Sequence, residues 1–245
     1  MTPELAIENN HHWYVSIFRA HGLASRIDEH YWSTDAQPPP YHSCLVTRTR
    51  GPRAREAQLE RLAELRARAG DRLGGCKDSF DELPAAALER LGMRTLFRAC
   101  WYGWASAGSG AESETRLEAW RVESPEALAS WESTWRRSSP AGEARVFPEA
   151  VLADQGVELW WMTRGSAVAG GFALNRSAGS MGLSNVFQCD EAGIDPDAFV
   201  RECARAARRL DSDRPIVGYG PPSELSALSR LGFVELGPLR VWALA

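Results

Sequence analysis

Apolar and polar positions along this chain switch between helical and strand periods, and the switches predict its elements. Residues 4–21 read as a helix, with Trp13, Ile17, Ala20 and His21 on one face and Gly22 as the stop. Gln37-Pro38-Pro39-Pro40 breaks the chain, and 41–47 (YHSCLVT) has the short apolar run of a strand. An Arg/Glu-rich helix is predicted over 55–69, with Leu59, Leu62 and Leu65 on its apolar side. A strand in 72–80, a short helix at 84–91 and a returning strand at 94–104 follow. The stretch 106–115 (SAGSGAESET) is small, polar and aperiodic, and reads as a linker. Beyond it come a strand at 116–122 and a helix at 125–137 carrying Leu128, Trp131 and Trp135. Strands at 157–163, 167–174 and 181–188 form an antiparallel meander with turns at Gly165-Ser166 and within 177–180. A helix at 196–210 opens on Pro196, which suits a first helical turn. A strand at 215–219, a helix at 223–231 and a strand at 233–244 close the chain.

One part of this pattern occurs twice. The stretch 88–101 (LERLGMRTLFRACW) is echoed by 228–242 (LSRLGFVELGPLRVW). Leu88, Leu91, Gly92, Met93 and Leu96 match Leu228, Leu231, Gly232, Phe233 and Leu236, and Arg98 and Trp101 match Arg240 and Trp242. Each copy is a short amphipathic helix ending at a glycine able to take the left-handed cap, then an apolar residue starting a strand. The separation excludes a short solenoid repeat. Two related halves are expected: 1–105, the linker 106–115, and 116–245.

Composition narrows the function classes. The chain has 245 residues, 44% of them hydrophobic, and a net charge of −4, so nothing draws it as a whole toward nucleic acid. The negative charge lies in the second half; residues 1–110 are nearly balanced. The basic span 48–72 carries Glu56, Glu60 and Glu64 at helical spacing beside its arginines, which reads as a self-neutralised solvent face. No apolar run is long enough to span a membrane, and 1–13 lacks the basic-then-apolar pattern of a signal peptide, so a cytoplasmic protein is expected. Cys44, Cys76, Cys100, Cys189 and Cys203 show no CxxC spacing, and the five histidines, all within 1–42, show no ligand spacing. Neither disulfides nor a metal is expected. Lys77, the one lysine, reads as a consequence of an arginine-rich composition.

The element order of the second half, with its helix-Gly232-Phe233-strand ending, resembles the Gcn5-related N-acetyltransferase fold. The first half is similar to the same fold reduced. The resemblance implies an α+β protein of two tandem acetyltransferase-like halves, sharing one mixed sheet or packing sheet on sheet. It implies transfer of an acyl group from acetyl-CoA or another acyl-CoA to the amine of a small molecule or protein. In that family the acyl-CoA lies between two splayed parallel strands, and its pyrophosphate rests on amides at the start of the following helix, behind an Arg/Gln-x-x-Gly-x-Gly/Ala motif.

Here the two halves depart from the family in different ways. The second half has Cys189-Asp190-Glu191-Ala192-Gly193-Ile194-Asp195-Pro196-Asp197, four carboxylates where a pyrophosphate would sit. They suit a helix N-terminus without any ligand. The family's tyrosine in the last helix is replaced by Leu228, and Tyr219 is the candidate substitute as general acid, or else an ordinary strand-end aromatic. The first half offers Arg48, Arg50, Gly51 and Arg53 at a strand-to-helix junction, either a phosphate cradle or a solvated arginine loop. Asp78 at a strand end is a candidate base, or a cap on the helix that follows. Ser184 and Asn185 fall where the family holds the acyl carbonyl, or are polar simply because one strand face is exposed. A non-catalytic member binding a small molecule or partner in the same groove is the alternative. An open groove with free amides at 196–199 would favour the enzyme, and residues 189–197 folded over the groove of the second half would favour the alternative.

Overall fold

Proline and aspartate placement starts the helices, and burial decides what they pack on. In the computed structural model, which describes residues 1–104, 117–138, 145–177 and 179–245, α1 spans Pro3–Ala20 with proline in its first turn. The expected linker lies outside the described residues. Short strands β1 (Arg26–Ile27) and β2 (Tyr31–Ser33) precede β3 (Ser43–Thr47). Then come α2 (Pro52–Ala69), β4 (Gly75–Asp78), α3 (Ala85–Arg90) and β5 (Met93–Trp104). The second half runs β6 (Glu118–Arg121), α4 (Pro125–Arg137), β7 (Val157–Arg164), β8 (Ala167–Arg176), β9 (Met181–Gln188), α5 (Pro196–Leu210), β10 (Ile216–Gly220), α6 (Leu225–Arg230) and β11 (Val234–Leu244).

The eleven strands form one sheet in the order β1-β2-β3-β4-β11-β5-β10-β9-β8-β7-β6. The closing strands of the chain's two halves cross over into each other's side of the sheet. β11, from the second half, pairs with β4 of the first, and β5, from the first, pairs with β10 of the second. They meet each other along an antiparallel ladder from Val234↔Gly103 to Leu244↔Met93. Arg98 and Arg240 are direct partners in that ladder, and both lie against the Asp81 carboxylate at 3.6 and 2.5 Å. This exchange welds the halves into one body, because separating them would expose the long edges of two central strands.

α5 covers one face through Phe199, Cys203, Ala206 and Ala207, spaced for a single helical stripe. The opposite face receives α4 and α1. Trp13, Tyr14, Ile17 and Phe18 of α1 share a core with Trp131 and Trp135 of α4, while Ala6 and Ile7 pack with Trp101 and Val217. So the opening helix of the first half lies across strands of the second. Buried polar contacts fix that docking: Asn9 Nδ2 donates to the Asn175 carbonyl at 3.1 Å and to Ser177 Oγ at 3.2 Å, and Asn175 Nδ2 donates back to the Asn9 carbonyl at 2.9 Å. Each such bond contributes about 1 kcal/mol, and leaving either amide unpaired would cost more.

Candidate functional site

Both parallel strand pairs start alike and end differently. β9 and β10 are in register only at Met181↔Ile216 and Gly182↔Val217. Beyond Gly182 they part. The cause is a bulge in β9: Ala173 pairs with Ser184 and Gly171 with Phe187, so Phe172 alone faces both Asn185 and Val186. Asn185 takes φ 50°, a left-handed conformation that bends the strand. Backbone groups from Leu183 onward therefore have no ladder partner on the β10 side. On β10, Gly218 leaves room for the Tyr102 phenol, whose oxygen a Cβ there would approach to 2.6 Å.

The opening leads into a cavity of about 540 Å³ beneath α1. Its walls include Asn10, Trp13, Tyr14, His42, Lys77, Trp101, Tyr102, Ser184, Asn185 and Tyr219, so both halves contribute. His42 is held neutral: burial lowers its pKa to about 4. Its Nε2 accepts from the Trp13 indole at 3.1 Å, which leaves Nδ1–H to donate to the Pro40 carbonyl at 2.9 Å. Lys77 is buried, with Nζ 3.0 Å from Asn10 Oδ1 and 4.1 Å from the centroid of the Tyr219 ring. Burial works against its charge, but the Tyr14 and Tyr219 phenols hold the ammonium and its pKa stands above the ordinary value. Glu224, at the mouth, has its carboxyl raised by desolvation.

The β3/β4 pair stays shut. Ser43↔Gly75, Leu45↔Cys76 and Val46↔Lys77 are paired, with a register shift between Ser43 and Leu45, and just past them Ser79 N donates to Thr47 Oγ1 at 2.7 Å, joining the strand ends. Beyond β3 the chain enters α2. Gly51 caps it at φ 105° with no side-chain hydrogen bond, and no acid lies in the first turn. Arg48 donates to the Asp28 carbonyl at 2.7 Å and pairs with Glu8 at 3.2 Å; Arg50 pairs with Glu4 at 3.2 Å and lies over Phe80; Arg53 is exposed.

The start of α5 is the reverse. Asp195 Oδ1 accepts from Ala198 N at 2.9 Å, its carbonyl accepts from Phe199 N, and Pro196 has no amide proton. Asp197 pairs with Arg230 at 2.8 Å. The helix fills its own N-terminus.

Of the residues singled out in the sequence, Ser184, Asn185 and Tyr219 come together around the cavity. Arg48, Arg50, Gly51 and Arg53 cluster apart from it, at α2. Asp78 is buried and accepts from Leu83 N at 2.7 Å and from Phe80 N at 3.4 Å, the contacts of a turn cap. Burial raises its pKa against those amides. Lys77 and Asn10 escaped the sequence reading. A lone lysine inside the strand GCKD was the available signal, since such a strand in a buried sheet has no solvent face for it. Asn10 had none, because its importance comes from α1 docking on the other half.

No protein-family model and no curated protein matches the sequence. Solved structures do. A GCN5-related N-acetyltransferase from Kribbella flavida superposes with a TM-score of 0.66 at 13% identity, covering 97% of this chain and 95% of that one. A functionally unknown conserved protein from Staphylococcus epidermidis gives 0.65 at 12%, covering 93% and 97%. A tandem GNAT protein from the clavulanic acid biosynthesis pathway gives 0.51 at 12%, covering 86% and 76%. At these identities the likeness concerns architecture: this chain has the fold of the Gcn5-related N-acetyltransferases.

Proposed function

We propose that this chain is an N-acyltransferase whose acyl donor, an acyl-CoA, enters between β9 and β10 while the acceptor amine occupies the cavity under α1. The observation that carries this reading is the bulge at Asn185, beside which two parallel strands part and open into an aromatic-lined cavity. The narrow slot and its unpaired backbone fit a thioester arm. The start of α5 does not fit a diphosphate, because Asp195 and Asp197 already stand there. Bound acyl-CoA would supply an electrophilic thioester carbonyl.

The chain's own residues bear on the rest. Backbone amides beyond Gly182 that turn toward β10 meet no ladder partner there, and are donors of the kind that stabilise developing oxyanion charge. Tyr219, on the facing strand, has a phenol suited to protonating a leaving thiolate. Glu224 at the mouth, its pKa raised by desolvation, is suited to take a proton from the acceptor's ammonium so that the neutral amine can attack.

The self-capped start of α5 favours a second reading, a non-catalytic member that binds a small molecule in the same cavity. Thiol release from acetyl-CoA, followed with a chromogenic disulfide across a panel of primary amines, separates the two. Amine-dependent release that Tyr219→Phe slows at least about tenfold supports transfer. No release with any amine, despite ligand binding in the cavity, supports the second reading.

A further inference from the structure

The cavity floor carries a cation without a counter-ion. Lys77 is 2% exposed, and among the described residues no carboxylate lies within ion-pair distance of its Nζ. The rings of Tyr14 and Tyr219, with centroids 5.1 and 4.1 Å away, and the Asn10 carbonyl oxygen at 3.0 Å are its surroundings. Cation–π contacts offset only part of the cost of burying an ammonium. Next to it, Asn10 Nδ2 is buried and has no acceptor. The amide cannot be turned over to relieve this, because its NH₂ would then face the ammonium. A buried ammonium with no carboxylate partner and a buried amide N–H with no acceptor thus stand side by side on the wall of an aromatic cavity.

We propose that Lys77 and Asn10 form a carboxylate-binding subsite, so that the cavity's ligand is a small molecule carrying a carboxylate on an apolar or aromatic body. One ammonium and one amide N–H match the two oxygens and single charge of a carboxylate. A phosphate dianion would call for a second cation, and Arg98, the arginine on the cavity lining, is exposed and lies toward Asp81. The aromatic walls from Trp13, Trp101, Tyr102 and Trp135 accept the apolar body. This rests on the proposed transferase reading in one respect: if transfer occurs, the acceptor is an amine bearing a carboxylate, an amino-acid-like molecule.

Calorimetric titration with phenylacetate and phenylacetamide tests the subsite without any acyl transfer. Phenylacetate is expected to bind at least about tenfold more tightly, as a charge-assisted pair requires. Lys77→Met should abolish the preference. Asn10→Asp should keep the fold, since it preserves the oxygen that Lys77 bonds and adds the missing counter-ion, yet lose phenylacetate binding. Equal binding of acid and amide, no binding of phenylacetate, or a preference surviving in a folded Lys77→Met or Asn10→Asp chain would overturn the proposal. Carboxylate-selective binding with no thiol release from acetyl-CoA would uphold the subsite and defeat the transferase reading alone.

Discussion

The β9/β10 pair and the β3/β4 pair are both parallel, each is followed along the chain by a helix after its first strand, and they differ in opposite ways. β9 and β10 part at Gly182 and open into a cavity, but the helix after β9 starts on Asp195-Pro196-Asp197 and satisfies its own amides. β3 and β4 are joined at their ends by Thr47, yet the helix after β3 starts on a bare Gly51 among arginines. A splayed slot needs a bulge and an unpaired backbone. An anion-ready helix start needs free amides and no nearby acid. These are independent local requirements, so one region of the chain can meet the first and another region the second. The difference teaches that the opening belongs to strands of the second half, while the first half supplies the cavity floor through Lys77 and Asn10.

The largest effect is expected where the opening begins. A Cβ on Gly182 would collide with the side-chain oxygens of both Asn175 and Asn9. Gly182→Ala should therefore break the bonds that dock α1, costing about 3 kcal/mol. For a chain of this size the melting temperature should drop by roughly 6–12 °C; an unchanged value would mean that α1 is held some other way. Thr47→Val removes the clasp of the closed pair and leaves the buried Ser79 amide unpaired. A loss of about 1–3 kcal/mol in urea unfolding is expected, with acetyl-CoA affinity unaltered. A gain in affinity would show that closure is what keeps ligands out of the first half.

Smaller effects concern charge. Asp195→Ser together with Asp197→Asn keeps a capping oxygen but removes two like charges from the expected path of a diphosphate. Acetyl-CoA affinity should rise about fivefold to tenfold, on the order of 1 kcal/mol of relieved repulsion; no change would place the diphosphate elsewhere. Arg50→Ala with Arg53→Ala should move that affinity by less than about twofold, as expected of exposed charges. A tenfold loss would instead make the arginine loop at α2 the anchor.

Much of this was legible in the residues. Apolar periodicity located the helices and most strands within a few positions, because each buries one face. β1 and β2 were not found, being too short to show a period. The repeat pointed to two halves, but not to the exchange of β5 and β11, since pairing partners are decided by the register of the assembled sheet and both strands are apolar enough for either place. The acidic start of α5 was read directly from 189–197, because caps are local. The bulge was not: Ser184 and Asn185 drew notice as polar residues in an apolar strand, while the bend depends on how Phe172 meets two partners. Lys77 was dismissed because a single lysine among many arginines carries no pattern; only the crossing of α1 over β4 and β10 gives it neighbours.

Hydrogen exchange with and without acetyl-CoA addresses the central claim that the second half's opening, not the first half's arginine loop, receives the acyl donor. The account predicts slowed exchange confined to 183–188 and 217–221, with 43–55 and 75–79 unchanged. Slowed exchange at 48–55, with none at 183–188, would contradict it.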